Sequence, residues 1–128
     1  MEKQKILYAE DEDCIFTILA RSSKQIYGDN YDFVHAPDIE SALSKFNEGK
    51  FDACISDGLN GGWKKFYDSV REKETSKNLP FILYSSDGDA LNKVMSLMHS
   101  DKNLGIIQKP AELDELFEHL KNFLSNKL

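Results

Sequence analysis

Five short apolar runs, each followed by a segment with helical periodicity, constrain the fold of this chain more than any other sequence feature. The runs are residues 5–9, 31–35, 53–55, 79–84 and 104–108. Residues 53–55 lack polar alternation, which is typical of a parallel strand buried on both faces. Short connections favour right-handed crossovers that return each strand to one sheet. We therefore predict an α/β domain with a doubly wound five-stranded parallel sheet, order 2-1-3-4-5, and helices on both faces.

Apolar stripes at helical spacing lie between the runs and predict the helices. The stripe residues are Ile15, Ile18, Leu19 and Ile26; Ile39, Ala42, Leu43 and Phe46; Trp63, Phe66, Tyr67 and Val70; Leu91, Val94, Met95 and Met98; and Leu113, Leu116, Phe117, Leu120 and Leu124. We expect each stripe to lie on one side of its helix. The surface around the fourth helix and the fifth strand, including Leu91, Met95 and Ile106, is a candidate partner or dimer face. Residues 71–77, which follow the third stripe, we interpret as a charged tail.

Length and composition exclude several classes of protein. A chain of 128 residues is long enough for one domain, so we expect residues 1–128 to form a single domain without an output domain. The formal net charge of −6 argues against nucleic-acid binding. No apolar run has the length of a membrane span, and the amino terminus lacks a signal-peptide core, so we expect a cytoplasmic protein. Cys14 and Cys54 have no metal-ligand spacing.

Polar residues follow four of the five runs. They are Glu10 and Asp11 after the first, Asp57 after the third, Ser85 after the fourth and Lys109 after the fifth. The carboxyl ends of parallel strands meet at one edge of a sheet, so these side chains should line one crevice. Carboxylates that lie close together repel one another unless a cation shares their site. Magnesium fits this oxygen-rich set best, and no His or Cys spacing favours zinc.

Each of these residues also has a structural interpretation when it is taken alone. Glu10 and the acids after it could complement the dipole of the first helix, and Asp57 before Gly58 could form a turn. Ser85 could be an ordinary loop residue, and Lys109 a solvated lysine. Their joint placement at four strand ends favours a shared site.

Four sequence segments together resemble the receiver domains of bacterial two-component response regulators. They are Ile6-Leu7-Tyr8-Ala9-Glu10-Asp11-Glu12, Asp57, Ser85 and Lys109-Pro110. The similarity extends in register from about Lys5 to the last helix. It implies the flavodoxin-like fold of a stand-alone, chemotaxis-type receiver.

The resemblance also implies a role for each residue of the site. Asp57 would be the phosphoacceptor, Ser85 the switch hydroxyl and Lys109 the phosphoryl-binding lysine. The implied ligands of Mg²⁺ or Mn²⁺ are Glu10, Asp11, Asp57 and the backbone carbonyl of Leu59. The Lys109-Pro110 peptide bond would be cis.

The chain departs from the family pattern at two places. The loop after Asp57 lacks the usual proline and contains three glycines, so its backbone is unusually permissive. Leu59 stands where family members often have a polar residue that assists the hydrolytic water, and we therefore expect slow autodephosphorylation. Ile106 stands where the family often has a rotating aromatic switch.

Two functional hypotheses follow. In the first, a histidine kinase or phosphotransfer protein phosphorylates Asp57, and the change shifts a surface that an unknown downstream protein binds. In the second, the chain is a receiver-like interaction module that works without phosphorylation. Neither hypothesis makes the chain an enzyme beyond slow autodephosphorylation, and a haloacid dehalogenase-type hydrolase would need a second aspartate that Asp57-Gly58-Leu59 lacks. The sequence leaves monomer and weak dimer open.

Overall fold

The computed structural model describes residues 4–109 and 113–125, where five strands alternate with five helices. The elements are β1 Gln4–Ala9, α1 Asp13–Tyr27, β2 Tyr31–Ala36, α2 Ile39–Glu48, β3 Ala53–Ser56, a 3₁₀ turn Leu59–Gly61, α3 Trp63–Glu72, β4 Phe81–Ser85, α4 Gly88–Leu97, β5 Leu104–Gln108 and α5 Leu113–Ser125. All strand pairs are parallel, in the order β2-β1-β3-β4-β5. The predicted fold class and strand order are confirmed. Within the described ranges, no helix is long and apolar enough to cross a membrane.

Two apolar layers cover the sheet, because side chains alternate between its faces along each strand. Helices α2, α3 and α4 pack on one face, where Trp63 and Phe66 are the largest buried side chains. Helices α1 and α5 pack on the other face through Leu19 and Phe117. The predicted placement of helices on both faces is confirmed.

Three of the stripe residues are exposed, so the apolar stripes of α1 and α4 extend beyond the buried side of each helix. Ile18 and Ile26 of α1 are 57% and 53% exposed, and Met95 of α4 is 57% exposed. Successive helical residues are rotated by about 100°, which turns Ile18 away from the buried Leu19 and Met95 away from the buried Val94. Ile26 lies in the last turn of α1.

The prediction of a charged tail after α3 was wrong for Arg71, which lies within α3 and in a half-buried cluster. Its Nε donates to Asp101 Oδ2 at 2.7 Å, and the Tyr67 hydroxyl donates to the same oxygen at 2.5 Å. Arg71 also donates to the backbone carbonyls of Leu79 at 2.6 Å and Asn103 at 3.2 Å. This Arg71–Asp101 cluster therefore ties α3 to the starts of β4 and β5.

At the opposite edge of the sheet, backbone hydrogen bonds continue the ladder one residue beyond three strands. The Glu10 N–H donates to the Ala36 carbonyl at 2.9 Å, and the Asp57 N–H donates to the Ala9 carbonyl at 2.8 Å. The Lys109 N–H donates to the backbone carbonyl of Ser85, the last residue of β4, at 2.9 Å. These bonds fix the backbone of the residues from which the strand-end side chains project.

Candidate functional site

Three carboxylates from the ends of β1 and β3 converge at this edge. Glu10, Asp11 and Asp57 each offer an oxygen, and these oxygens lie within 4.8 Å of one another. Glu10 is fully buried, the Asp57 side chain is 19% exposed and Asp11 is exposed. This donor set contains only hard oxygen ligands and opens to solvent on one side, so it fits a magnesium or manganese ion that retains some of its water.

Lys109 joins the acids from the end of β5. Its Nζ lies 3.0 Å from Glu10 Oε1 and 3.2 Å from Asp57 Oδ1. Burial opposes the charge on Lys109, but its hydrogen bond to Glu10 and the attraction of Asp57 outweigh burial and raise the pKa of Lys109. The ammonium is therefore charged at neutral pH and offsets part of the negative charge.

Glu10 is the most enclosed member of the group. Its Oε1 accepts a second hydrogen bond, from the Tyr8 hydroxyl at 3.1 Å, and its Oε2 accepts from the Glu12 N–H at 3.3 Å. Burial raises the pKa of Glu10, and the hydrogen bond from Lys109 opposes that shift without cancelling it. The His35 ring donates from Nε2 to the Glu10 backbone carbonyl at 2.7 Å, which holds the backbone of the same residue.

Two tyrosines lie beneath the site, and sequence reasoning missed the contact that each makes with a site residue. Tyr8 contacts Glu10 as described above, and the Lys109 ammonium lies 5.0 Å from the ring centroid of Tyr84. A signal was present for each of them. Tyr8 stands two positions before Glu10, so both side chains project to the same side of the extended chain, and Tyr84 directly precedes Ser85.

Ser85 lies against the residue that follows Asp57. A Cβ added at Gly58 would be 3.0 Å from Ser85 Oγ and 3.6 Å from Asp87 Cβ. Ser85 is buried, and its Oγ accepts from the Asp87 N–H at 3.0 Å, while the Asp87 carboxylate caps α4 by accepting from the Asp89 N–H. The hydroxyl is therefore bonded to the start of α4.

The loop after Asp57 has an uncommon backbone. Leu59, Asn60 and Gly61 have φ values of 50°, 54° and 92°, and this left-handed region is costly for leucine. The Leu59 side chain packs against the α2–α3–α4 layer, and its carbonyl accepts from the Gly62 N–H at 3.0 Å. A carbonyl oxygen has two lone pairs, so one remains for a cation.

The structure also places the remaining two positions singled out in the sequence. Ile106, the position that the sequence resemblance aligns with an aromatic residue, is a partly buried residue of β5 that packs against the α2–α3–α4 layer. The Lys109-Pro110 bond lies outside the described residues, because the description stops at Lys109 and resumes at residue 113.

No protein-family model and no curated protein matches the chain. Solved structures do match it over nearly its whole length. The non-phosphorylated receiver domain of HemR from Leptospira biflexa is 25% identical, with a TM-score of 0.78 and coverage of 96% of this chain and 95% of that one. The chemotaxis response regulator CheY4 of Vibrio cholerae is 20% identical, with a TM-score of 0.78 and coverage of 95% and 99%.

A third match concerns the cation site. The receiver domain of the sensor histidine kinase PA1611 from Pseudomonas aeruginosa is 20% identical, with a TM-score of 0.77 and coverage of 97% of this chain and 99% of that one. That structure has a magnesium ion coordinated in its active-site cleft. The chain therefore has the fold of response regulator receiver domains, as the sequence resemblance implied.

Proposed function

We propose that the chain is a phosphoacceptor switch in which Asp57 receives a phosphoryl group from the phosphohistidine of a histidine kinase or phosphotransfer protein. The contact of Lys109 with both Glu10 and Asp57, at 3.0 and 3.2 Å, is the observation that carries this proposal. A solvated lysine would not be half-buried between two carboxylates. Receiver domains are signalling switches, and beyond slow autodephosphorylation we propose no enzymatic turnover.

In the transfer step, a carboxylate oxygen of Asp57 attacks the phosphorus atom and forms an acyl phosphate bond. The phosphorus–nitrogen bond to the donor histidine breaks, and its electron pair stays on the imidazole nitrogen. The Lys109 ammonium already contacts the attacking carboxylate of Asp57 at 3.2 Å. It can therefore offset the negative charge that develops on the phosphoryl oxygens during the transfer.

Glu10, Asp11, Asp57 and the Leu59 carbonyl would hold Mg²⁺ or Mn²⁺. When it is bound, the ion supplies positive charge against the phosphoryl oxygens. Glu10 and Asp57 also retain Lys109, so the crevice combines a fixed ammonium with the oxygen ligands. Asp11, by contrast, is exposed.

Ser85 links the site to the surface that a downstream protein would bind. Its hydroxyl bonds the Asp87 N–H at the start of α4, and Gly58 lies directly against it. The acceptor oxygens of a phosphoryl group on Asp57 would draw the hydroxyl away from Asp87. The start of α4 would then shift between two positions, which changes the surface around that helix.

Intact-mass spectrometry after incubation with acetyl phosphate and Mg²⁺ tests the proposal. We expect the wild type to gain the mass of one phosphoryl group and Asp57→Asn to gain none. Asp32→Asn changes an exposed aspartate of β2 and should gain the group like the wild type. No mass gain in the wild type, or an equal gain in Asp57→Asn, would reject Asp57 as the phosphoacceptor.

A second function, a receiver-like module that binds a partner without phosphorylation, is favoured by one observation. The Leu59 carbonyl already accepts a hydrogen bond within a strained turn, so the backbone ligand for the cation is less available than a free carbonyl would be. The same mass experiment separates the two functions, because this module would show no phosphoryl gain at any Mg²⁺ concentration.

A further inference from the structure

Tyr8 carries a hydroxyl into a mostly apolar layer. It is fully buried in β1, in a layer that also contains Ile6, Ile55 and Ile82. A buried phenol hydroxyl normally has a hydrogen-bond partner, because leaving it unpaired is costly. The partner of Tyr8 is Oε1 of Glu10, at 3.1 Å. Strand β1 thus places a hydroxyl donor directly beneath a candidate cation ligand.

The two oxygens of Glu10 have different surroundings. Oε1 accepts from both the Tyr8 hydroxyl and the Lys109 ammonium, at 3.1 and 3.0 Å. Oε2 accepts one longer hydrogen bond, from the Glu12 N–H at 3.3 Å. Two donors on one oxygen fix the carboxylate plane and leave the other oxygen with more free acceptor capacity.

We infer that Tyr8 is a positioning residue, which with Lys109 holds Oε1 of Glu10 and so orients Oε2 as the oxygen offered to a divalent cation. The inference rests on the cation role proposed for Glu10. A glutamate has one more rotatable bond than an aspartate, so ordering it as a ligand costs more side-chain entropy. Tyr8 lowers that cost by ordering Glu10 before the cation arrives, as outer groups do around many metal ligands.

Calorimetric titration of the whole protein with MgCl₂ tests the inference. Tyr8→Phe keeps the ring and removes only the hydroxyl, and we expect it to weaken the Mg²⁺ affinity about tenfold. Tyr31→Phe is the matched control, because Tyr31 packs against the same apolar layer from the edge strand β2, away from Glu10. It should leave the affinity unchanged. Equal affinities of wild type and Tyr8→Phe would overturn the inference.

A double-mutant cycle separates positioning from a general effect on the fold. Glu10→Asp shortens the acid by one methylene and withdraws its carboxylate from Tyr8. In that background, adding Tyr8→Phe should cause no further loss of Mg²⁺ affinity. An equal tenfold loss in both backgrounds would mean that the hydroxyl acts through the structure as a whole, which would also overturn the inference.

A measurement without metal tests the positioning role directly. It remains informative if Tyr8→Phe changes the stability of the protein, because it reports only the conformation of Glu10 in folded molecules. Side-chain three-bond couplings of Glu10, measured by NMR in the folded protein, should report one rotamer in the wild type and averaged rotamers in Tyr8→Phe. Unchanged couplings would contradict the positioning role. Failure of Asp57 phosphorylation in the wild type would reject the proposed function alone, since neither the couplings nor the Mg²⁺ titration requires phosphoryl transfer.

Discussion

At the scale of single residues, the site depends on close approach between segments that are distant in sequence. Gly58 illustrates this, because the space that its side chain would fill is occupied by Ser85 and Asp87. The backbone after Asp57 therefore lies directly on the Ser85 hydroxyl. Any side chain at this position would push the two loops apart.

Gly58→Ala should destabilise the fold by about 1 kcal/mol or more, because its Cβ would lie 3.0 Å from Ser85 Oγ. Gly88→Ala is the matched control. Gly88 is the first residue of α4 with nothing within 4 Å of an added Cβ, so alanine there should be neutral or stabilise by about 0.5 kcal/mol. Urea unfolding measures both changes. Equal stability of the two variants would contradict the contact between Gly58 and Ser85.

Leu59→Asn should speed the loss of the phosphoryl group severalfold. Asparagine tolerates the φ of 50° at this position better than leucine, and its amide can orient a hydrolytic water. Leu59→Ala is the control, since it removes the apolar chain without adding a polar group. The decay of the phosphorylated protein can be followed by intact mass. Identical decay in wild type and Leu59→Asn would refute the expectation that Leu59 slows autodephosphorylation.

At the scale of elements, the Arg71–Asp101 cluster holds α3 to the edge of the sheet opposite the site. Burial opposes the charge on Asp101, but hydrogen bonds from Arg71 and Tyr67 outweigh it and hold the pKa of Asp101 below its usual value. Burial and the hydrogen bond to Asp101 raise the pKa of Tyr67 to about 12. The cluster therefore stays intact across the neutral range.

Asp101→Asn should lower the free energy of unfolding by about 2 kcal/mol at neutral pH, because it leaves Arg71 half-buried without its carboxylate. The folded-state pKa of Asp101 is depressed, so its contribution is complete above the unfolded pKa of about 4. It is lost as the pH falls through the folded value. The difference between wild type and variant should therefore shrink below about pH 4.

Asp68→Asn is the control for that measurement. Asp68 pairs with Lys64 at 2.7 Å on the exposed side of α3, and such pairs contribute less than about 1 kcal/mol. Denaturant unfolding from neutral to acidic pH gives both curves. A stability gap for Asp101→Asn that stays constant through acid would contradict the depressed pKa.

At the scale of the whole molecule, the two edges of the sheet carry different clusters. The edge with the candidate site is polar, and the opposite edge, called the anchored edge below, carries the Arg71–Asp101 cluster. Glu10, Asp57 and Lys109 lie where the strands end, whereas the Arg71–Asp101 cluster lies where β4 and β5 begin. Helix α4 is linked to both groups: the Asp87 N–H at its start donates to Ser85 Oγ at 3.0 Å, and the carbonyl of its last residue, Leu97, accepts from the Asp101 N–H at 3.0 Å. This arrangement favours movement at the start of α4.

Beryllofluoride with Mg²⁺, which mimics an acyl phosphate, should therefore shift amide signals unevenly. We expect large changes at Gly58, Ser85 and Asp87 and small ones at Ser76 and Asn103, near the anchored edge. Two-dimensional amide NMR measures the pattern, with Asp57→Asn as the control that should show none of it. Shifts of similar size at both edges would contradict the separation of the two edges.

The sequence by itself determined the architecture and the residue types at the strand ends. Periodicity is a local property, so the strands, the helices and their order follow from short windows of sequence, and parallel topology then brings Glu10, Asp57 and Lys109 to one edge. Most of the proposed site was therefore predictable. Exposure of single stripe residues such as Ile18 and Ile26 was not, because it depends on how each helix is rotated on the sheet.

Only the tertiary structure decided which groups are paired within that frame. Lys109 and Glu10 are separated by 99 positions, and Arg71 and Asp101 by 30. Contacts between side chains so far apart depend on strand register and packing, which no local pattern encodes. For the same reason Tyr8 read as an ordinary apolar strand residue in the sequence, and it became a partner of the site only when its hydroxyl was placed beside Glu10.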